Sequence, residues 1–198
     1  MRSLLASLVF GLVIFSAGCG GPKAFTKGDY DDPTKVRLLD DKFNEADMQQ
    51  MADTVIAAMV ACKYVANAKQ PPVVFVHQVQ NRTEEHIDMV SLTDMIKTAL
   101  IKSGKVRFVN KSEREALDEE IDYQHESGKV RGPTKKAKDG RTGTDYMLSG
   151  SMATNIQQVG DDKLIYYKLT MNLTNTETEE IDCIEEKQVR KKYTRQSI

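Results

Sequence analysis

The chain has no tryptophan, three histidines, three cysteines and five prolines among its 198 residues. His77, His86 and His125 are scattered, and no two share the spacing of metal ligands. Cys62 and Cys183 form no C-x-x-C arrangement, so a zinc site has no sequence support. G-x-S-x-G, H-E-x-x-H and a phosphate-cradling glycine loop are missing as well. Glu84-Glu85 and Glu119-Glu120 are adjacent residues, which point in different directions from a helix and make no glycosidase dyad by spacing. These gaps lead to the expectation of a protein that is not an enzyme, holds no cofactor or metal and takes no small-molecule substrate. An excess of one charge is also lacking, since 28 Lys and Arg stand against 29 Asp and Glu. That balance gives no support to nucleic-acid binding or to attraction by anionic lipid headgroups.

One long hydrophobic run is present, at the very start. Arg2 precedes an apolar stretch from Leu4 to Phe15, followed by Ser16, Ala17, Gly18 and Cys19. A basic start, a short apolar core and small residues at a cut site make a secretory signal. The core is too short to remain as a spanning helix, which needs about 20 apolar residues. Cysteine directly after small residues points to the lipoprotein version, with residues 1–18 removed and Cys19 acylated. An ordinary signal with a coincident cysteine is the alternative, because Ser16 stands where such signals usually carry Leu. The remaining chain of about 180 residues is long enough for one domain with a core. Residues 19–42 read as a tether, polar and irregular, spanning at most roughly 75 Å when stretched. The expected globular domain covers 43–192, with a basic tail at 193–198 and fraying expected from Arg190.

Within the domain the pattern alternates between helix and strand. Asn44 and Asp47 suit a capped helix start, with Phe43 and Met48 as a hydrophobic staple. Met48, Met51, Val55, Met59 and Cys62 then recur at helical spacing. Val73 to Val79 read as a buried strand, and Asn81-Arg82-Thr83 as a turn. A helix from about Ser91 to Ser103 ends at Gly104, the place of a left-handed cap. Val106 to Val109 make a second strand. Ser112 and Glu115 form a Ser-x-x-Glu box that predicts a third helix through about His125. Three strands follow, from Tyr146 to Ile156, from Ile165 to Thr174 and around Ile181 to Val189. The middle one alternates strictly, apolar on one face and mostly polar on the other. Helices early and hairpins late predict an α+β single domain: a mixed, mostly antiparallel sheet with helices on one face. Cys62 and Cys183 are read as two buried thiols, although an oxidising compartment permits a disulfide if their Cα atoms lie within about 7 Å.

Residues 129–144 are basic. Lys129, Arg131, Lys135, Lys136, Lys138 and Arg141 are either a solvated surface or a contact surface for an acidic partner. Arg131, Lys135 and Arg141, with Ser149 on the following strand, are the candidate partner-binding residues. Exposed cations speed and orient association with an acidic surface.

Several segments carry a family resemblance: Asn81-Arg82-Thr83, Leu92 to Lys105, Arg107-Phe108-Val109, Gly143 to Gly150 and Tyr166 to Leu169. In this order, behind a lipidation signal, they resemble the LpoB family of lipoprotein activators of bifunctional penicillin-binding proteins. The resemblance spans about Phe43 to Lys192. It implies a small domain similar to the N-terminal domain of TolB, held to the outer membrane by lipid. It further implies a protein that docks on a penicillin-binding protein, a peptidoglycan synthase, and stimulates it without doing chemistry. Gly20 after the cysteine implies outer-membrane sorting by the same analogy. The tether here is short and not proline-rich, unlike the long arm of well-known members. Cys183 stands where the family commonly has Trp. A structural lipoprotein of an envelope secretion or surface-appendage assembly is the alternative function.

Overall fold

A computed structural model of the protein describes residues 28–33, 35–38 and 40–195. The expected signal segment, residues 1–18, and Cys19 lie outside them. The chain divides after Asp32, and the second unit carries all the helices and strands among the described residues. None of those helices is long and apolar enough to cross a membrane.

Helix α1 (Glu45–Ala61) starts on its capping box: Asn44 Oδ1 accepts from the Asp47 backbone at 3.1 Å, and Asp47 Oδ2 accepts from the Asn44 backbone at 3.0 Å. Phe43 and Met48 pack at the core's edge, as the staple requires. Met51, Ala52, Val55 and Met59 face inward and are buried. A one-turn helix α2 (Lys63–Ala66) follows, before Pro71 and Pro72 enforce extended chain into strand β1 (Val73–Arg82). Helix α3 (Met89–Lys102) is capped by Asp88, whose carboxylate accepts from the Ser91 backbone at 3.0 Å. Gly104 closes it at φ +68°, a conformation that only glycine adopts without strain.

Strand β2 (Arg107–Phe108) is short. Helix α4 (Arg114–Glu126) begins differently from expectation. The Ser112 hydroxyl donates to Asn110 Oδ1 at 2.6 Å instead of capping the helix, and α4 has no side-chain cap. A competing local hydrogen bond defeats the Ser-x-x-Glu signal. A 3-10 turn spans Gly132–Thr134, with Pro133 in its first turn.

Strands β3 (Tyr146–Val159), β4 (Asp162–Asn175) and β5 (Ile181–Thr194) form a long antiparallel meander. The β3–β4 turn is tight, with Gly160 at φ +60°. The sheet order is β2-β1-β3-β4-β5, with β2, β1 and β3 parallel. This is the predicted α+β single domain with a mixed sheet.

Helices α1 and α3 cover one face. Ile165, Tyr167, Leu169, Met171 and Leu173 of β4 point into that layer and are buried, together with Leu148 and Met152 of β3. Each such side chain contributes about 1.5–3 kcal/mol by leaving water. Helix α4 is not part of the layer, for it buries no residue.

Two expectations are corrected at the sheet's outer strand. Cys62, at the end of α1, and Cys183, on β5, are joined as a disulfide with Cα atoms 6.3 Å apart. The fold satisfies a distance that sequence cannot supply. From Arg190 to Thr194 the chain is not frayed, and residues 196–198 lie outside the described residues. It stays paired with β4 through Thr194, and Lys191 is 4 % exposed.

Candidate functional site

The long passage from β2 to β3 leaves the sheet and returns to the same end of it. On departure, the Val109 backbone donates to the carbonyl of Val74 at 3.0 Å; on return, Asp145 donates to that of Val73 at 2.7 Å. The Asp145 carboxylate fastens the return by accepting from the Val73 backbone at 2.7 Å. Between these points lie α4 and the basic segment, and they neutralise each other. Asp118, Asp122 and Glu126 recur every four residues and so form one acidic row on the helix. Arg141 pairs with Asp118. Lys138 reaches Asp122 at 2.7 Å and Glu126 at 3.4 Å. The hydrogen bond to Asp122, helped by Glu126, raises the Lys138 ammonium above its ordinary pKa. Backbone groups complete the seam. Gln124 Oε1 accepts from the Lys136 backbone at 3.0 Å, and a ring nitrogen of His125 meets the Lys136 carbonyl at 2.8 Å.

This arrangement separates the candidate residues. Arg141 is committed to Asp118. Lys135 is half-buried, its ammonium 3.4 Å from the His125 carbonyl to which it donates. Arg131 is exposed at the tip of the excursion, and its carbonyl accepts from the Thr134 backbone and hydroxyl. Its guanidinium has no acidic partner among the described residues, so it is the most available cation of the three. Ser149 lies on β3, outside the excursion, facing away from α1 and α3 and opposite Asn172. The structure thus gathers Arg131, Lys135 and Arg141 on one body and leaves Ser149 on the open sheet face. Exposed apolar groups accompany the cations. Leu117 and Tyr123 of α4 stand about half in water, and a shallow groove of about 230 Å³ runs between Val109, Arg114, Leu117 and Arg141.

A second cluster, at the opposite end of the sheet, was not legible as a site. Lys191 reaches into the core from β5 and donates to Asp47 Oδ2 at 2.7 Å and to the carbonyl of Lys42. Both side chains of the pair are nearly fully buried. The Lys191 ammonium also lies 5.6 Å from the centre of the Tyr167 ring, an attractive placement for a cation. Tyr167 in turn donates to Glu85 Oε1, and Glu85 Oε2 accepts from the Phe43 backbone at 2.9 Å. The Phe43 ring packs edge-on against Tyr167 at 5.3 Å. Burial and then the hydrogen bond to Glu85 push the Tyr167 phenol far above its ordinary pKa. The last residues of β1 and the polar turn after it explain how Glu85 is held. Asn81 Nδ2 donates to the Glu85 carbonyl at 2.8 Å, while Asn81 Oδ1 accepts from the Thr83 backbone and hydroxyl.

Among the described residues no group of three His, Cys, Asp or Glu side chains could hold a metal. What the arrangement offers is a rigid sheet, a sealed junction at one end and a charged, partly apolar excursion fastened at the other.

A family model described as the peptidoglycan-synthase activator LpoB matches residues 45–189. The chain belongs to the LpoB family. The match runs from the first residue of α1 into β5 and includes the α4 excursion. The LpoB C-terminal domain from Salmonella enterica is 19% identical at a TM-score of 0.46, covering 72% of this chain and 98% of that one. The corresponding Escherichia coli domain is 17% identical at 0.46, with the same coverage. The solution structure of Escherichia coli LpoB is 16% identical at 0.43 and covers 96% of each chain. No curated protein matches the sequence.

Proposed function

We propose that this protein docks on a bifunctional penicillin-binding protein and stimulates its glycan polymerisation and peptide crosslinking. It does no chemistry of its own. It acts in the periplasm, held to the outer membrane through lipid on Cys19. The observation that carries this reading is the family match from α1 into β5, over residues 45–189. Two features of the chain support it. The Cys62–Cys183 disulfide suits an oxidising compartment outside the cytoplasm. The excursion offers a docking surface in which Arg131, Lys135 and Arg141 supply charge and Leu117 and Tyr123 supply apolar area. Ser149 on the sheet face completes the contact set.

Such a surface acts through association. Exposed cations raise the on-rate toward an acidic partner, in a manner that salt screens. The test is binding of the chain to its purified cognate synthase, followed over a range of salt concentrations. Saturable binding is expected. Charge reversal in the Arg131→Glu/Lys135→Glu double variant is expected to slow association about tenfold and to flatten its salt dependence. An absence of binding by the unmodified chain, or capture from membranes of a secretion ring in place of the synthase, contradicts the reading.

A further inference from the structure

The chain just before α1 is bound at a single end of the sheet. The Asp40 carbonyl accepts from the Tyr193 hydroxyl, Asp41 pairs with Lys163, and the Lys42 carbonyl accepts from buried Lys191. Phe43 is held by Glu85, and the Arg37 carbonyl accepts from Asn44 Nδ2 at 3.3 Å. The three strand residues lie together in the sheet: Lys163 is opposite Tyr193, and Lys191 is opposite Ile165. All three are at the β3–β4 turn end. The excursion starts and returns at the other end, where Val73 is level with Arg107 and Tyr146 is opposite Asn175. A strand of 14 residues separates the two ends by about 45 Å.

We propose that Arg37 and residues 40–43 form a strap that ties the anchored side of the chain to one end of the sheet, so that the opposite end, with the α4 excursion, is presented to the synthase. This inference rests on the anchored, synthase-docking reading above. The strap fixes the point at which the chain leaves the sheet: the anchored side joins at the β3–β4 turn end, and the excursion lies a strand length away from it. Beside the excursion, the presented end carries the β4–β5 turn, residues 144–145 and α2. Tyr64, Gln70, Asp145 and Thr176 line a polar groove of about 470 Å³ there.

The strap is tested on the full chain in detergent micelles. Spin labels carried on genetically encoded ketone side chains at Leu38 and Thr178 report the distance between the two ends. One narrow distribution beyond about 40 Å is expected. The Lys163→Ala/Tyr193→Phe variant removes two strap contacts near the surface and is expected to broaden and shorten it. A broad distribution in the unmodified chain, or an unchanged one in the variant, overturns the strap. Presentation is tested with photocrosslinkers at Asp139, Thr178 and Val159, using purified synthase. Crosslinks from Asp139 or Thr178 and none from Val159, at the strap end, are expected. Equal or stronger crosslinking from Val159 overturns the presentation. If the synthase does not bind at all, docking and presentation fail together, while the distance measurement still decides the strap alone.

Discussion

Asp47–Lys191 and Asp118–Arg141 join the same kinds of group at opposite ends of one protein, and they differ in what surrounds them. The first pair is 6 % and 3 % exposed; the second is 58 % and 41 % exposed. Inside the core each charge must replace its lost water with a protein partner. Lys191 does so with a carboxylate, a carbonyl and an aromatic face. Asp47 does so with Lys191 and the backbone N–H of Asn44, which donates to its carboxylate. On α4 the charges keep their water, and the pairs organise the surface without holding much energy. A buried pair fixes geometry because neither partner tolerates the loss of the other. A solvated pair can exchange its partner, which suits a surface proposed to meet another protein.

The sharpest way to break this contrast is to remove one member of each pair. Lys191→Ala strands Asp47 in the core and is expected to lower stability by about 3–5 kcal/mol in urea unfolding. A Lys191→Met/Asp47→Leu variant, which removes both charges, is expected to recover much of that loss, though it forfeits the cap at Asn44. Next in size is the disulfide, whose cysteines are 121 residues apart. Reduction, or Cys62→Ser/Cys183→Ser, is expected to cost about 2–4 kcal/mol, read as a shift in urea midpoint with and without reductant. Tyr167 gives a smaller effect, confined to alkaline solution. Its folded pKa is raised, so its contribution is complete below the ordinary tyrosine pKa of about 10 and is lost as pH rises through the folded value. Stability is expected to fall above pH 10, more gently in Tyr167→Phe, by unfolding at stepped pH. The smallest effect belongs to the surface: Asp118→Ala is expected to change stability by about 0.5 kcal/mol or less and to vanish in high salt. A loss of several kcal/mol there would erase the distinction between the two regions.

Local chemistry made much of the fold readable. Asn44 and Asp47 are three residues apart, and the alternation of β4 lies in consecutive residues, so both features appear in the sequence itself. Ser112 shows the limit of such reading, since its hydroxyl had a nearer acceptor in Asn110 than the helix it was expected to cap. The burial of Lys191 depends on Asp47, 144 residues earlier, and no local pattern announces a lysine that will lie inside a core. A basic stretch near the C-terminus reads as a frayed tail for that reason. The disulfide was hidden in the same way. The pairing of the basic segment with α4 was within reach, because the four-residue spacing of Asp118, Asp122 and Glu126 predicts an acidic row facing some cationic partner. The candidate cations were identified by type, and their separation into engaged Arg141 and available Arg131 required the three-dimensional arrangement.

The proposed role of the domain is to change a synthase's rate by contact alone. Its most direct test is glycan polymerisation by the purified cognate synthase with and without a saturating amount of this chain. A severalfold rise in rate with no turnover by the chain alone is the predicted result. An unchanged rate while the chain is bound to the synthase would contradict it.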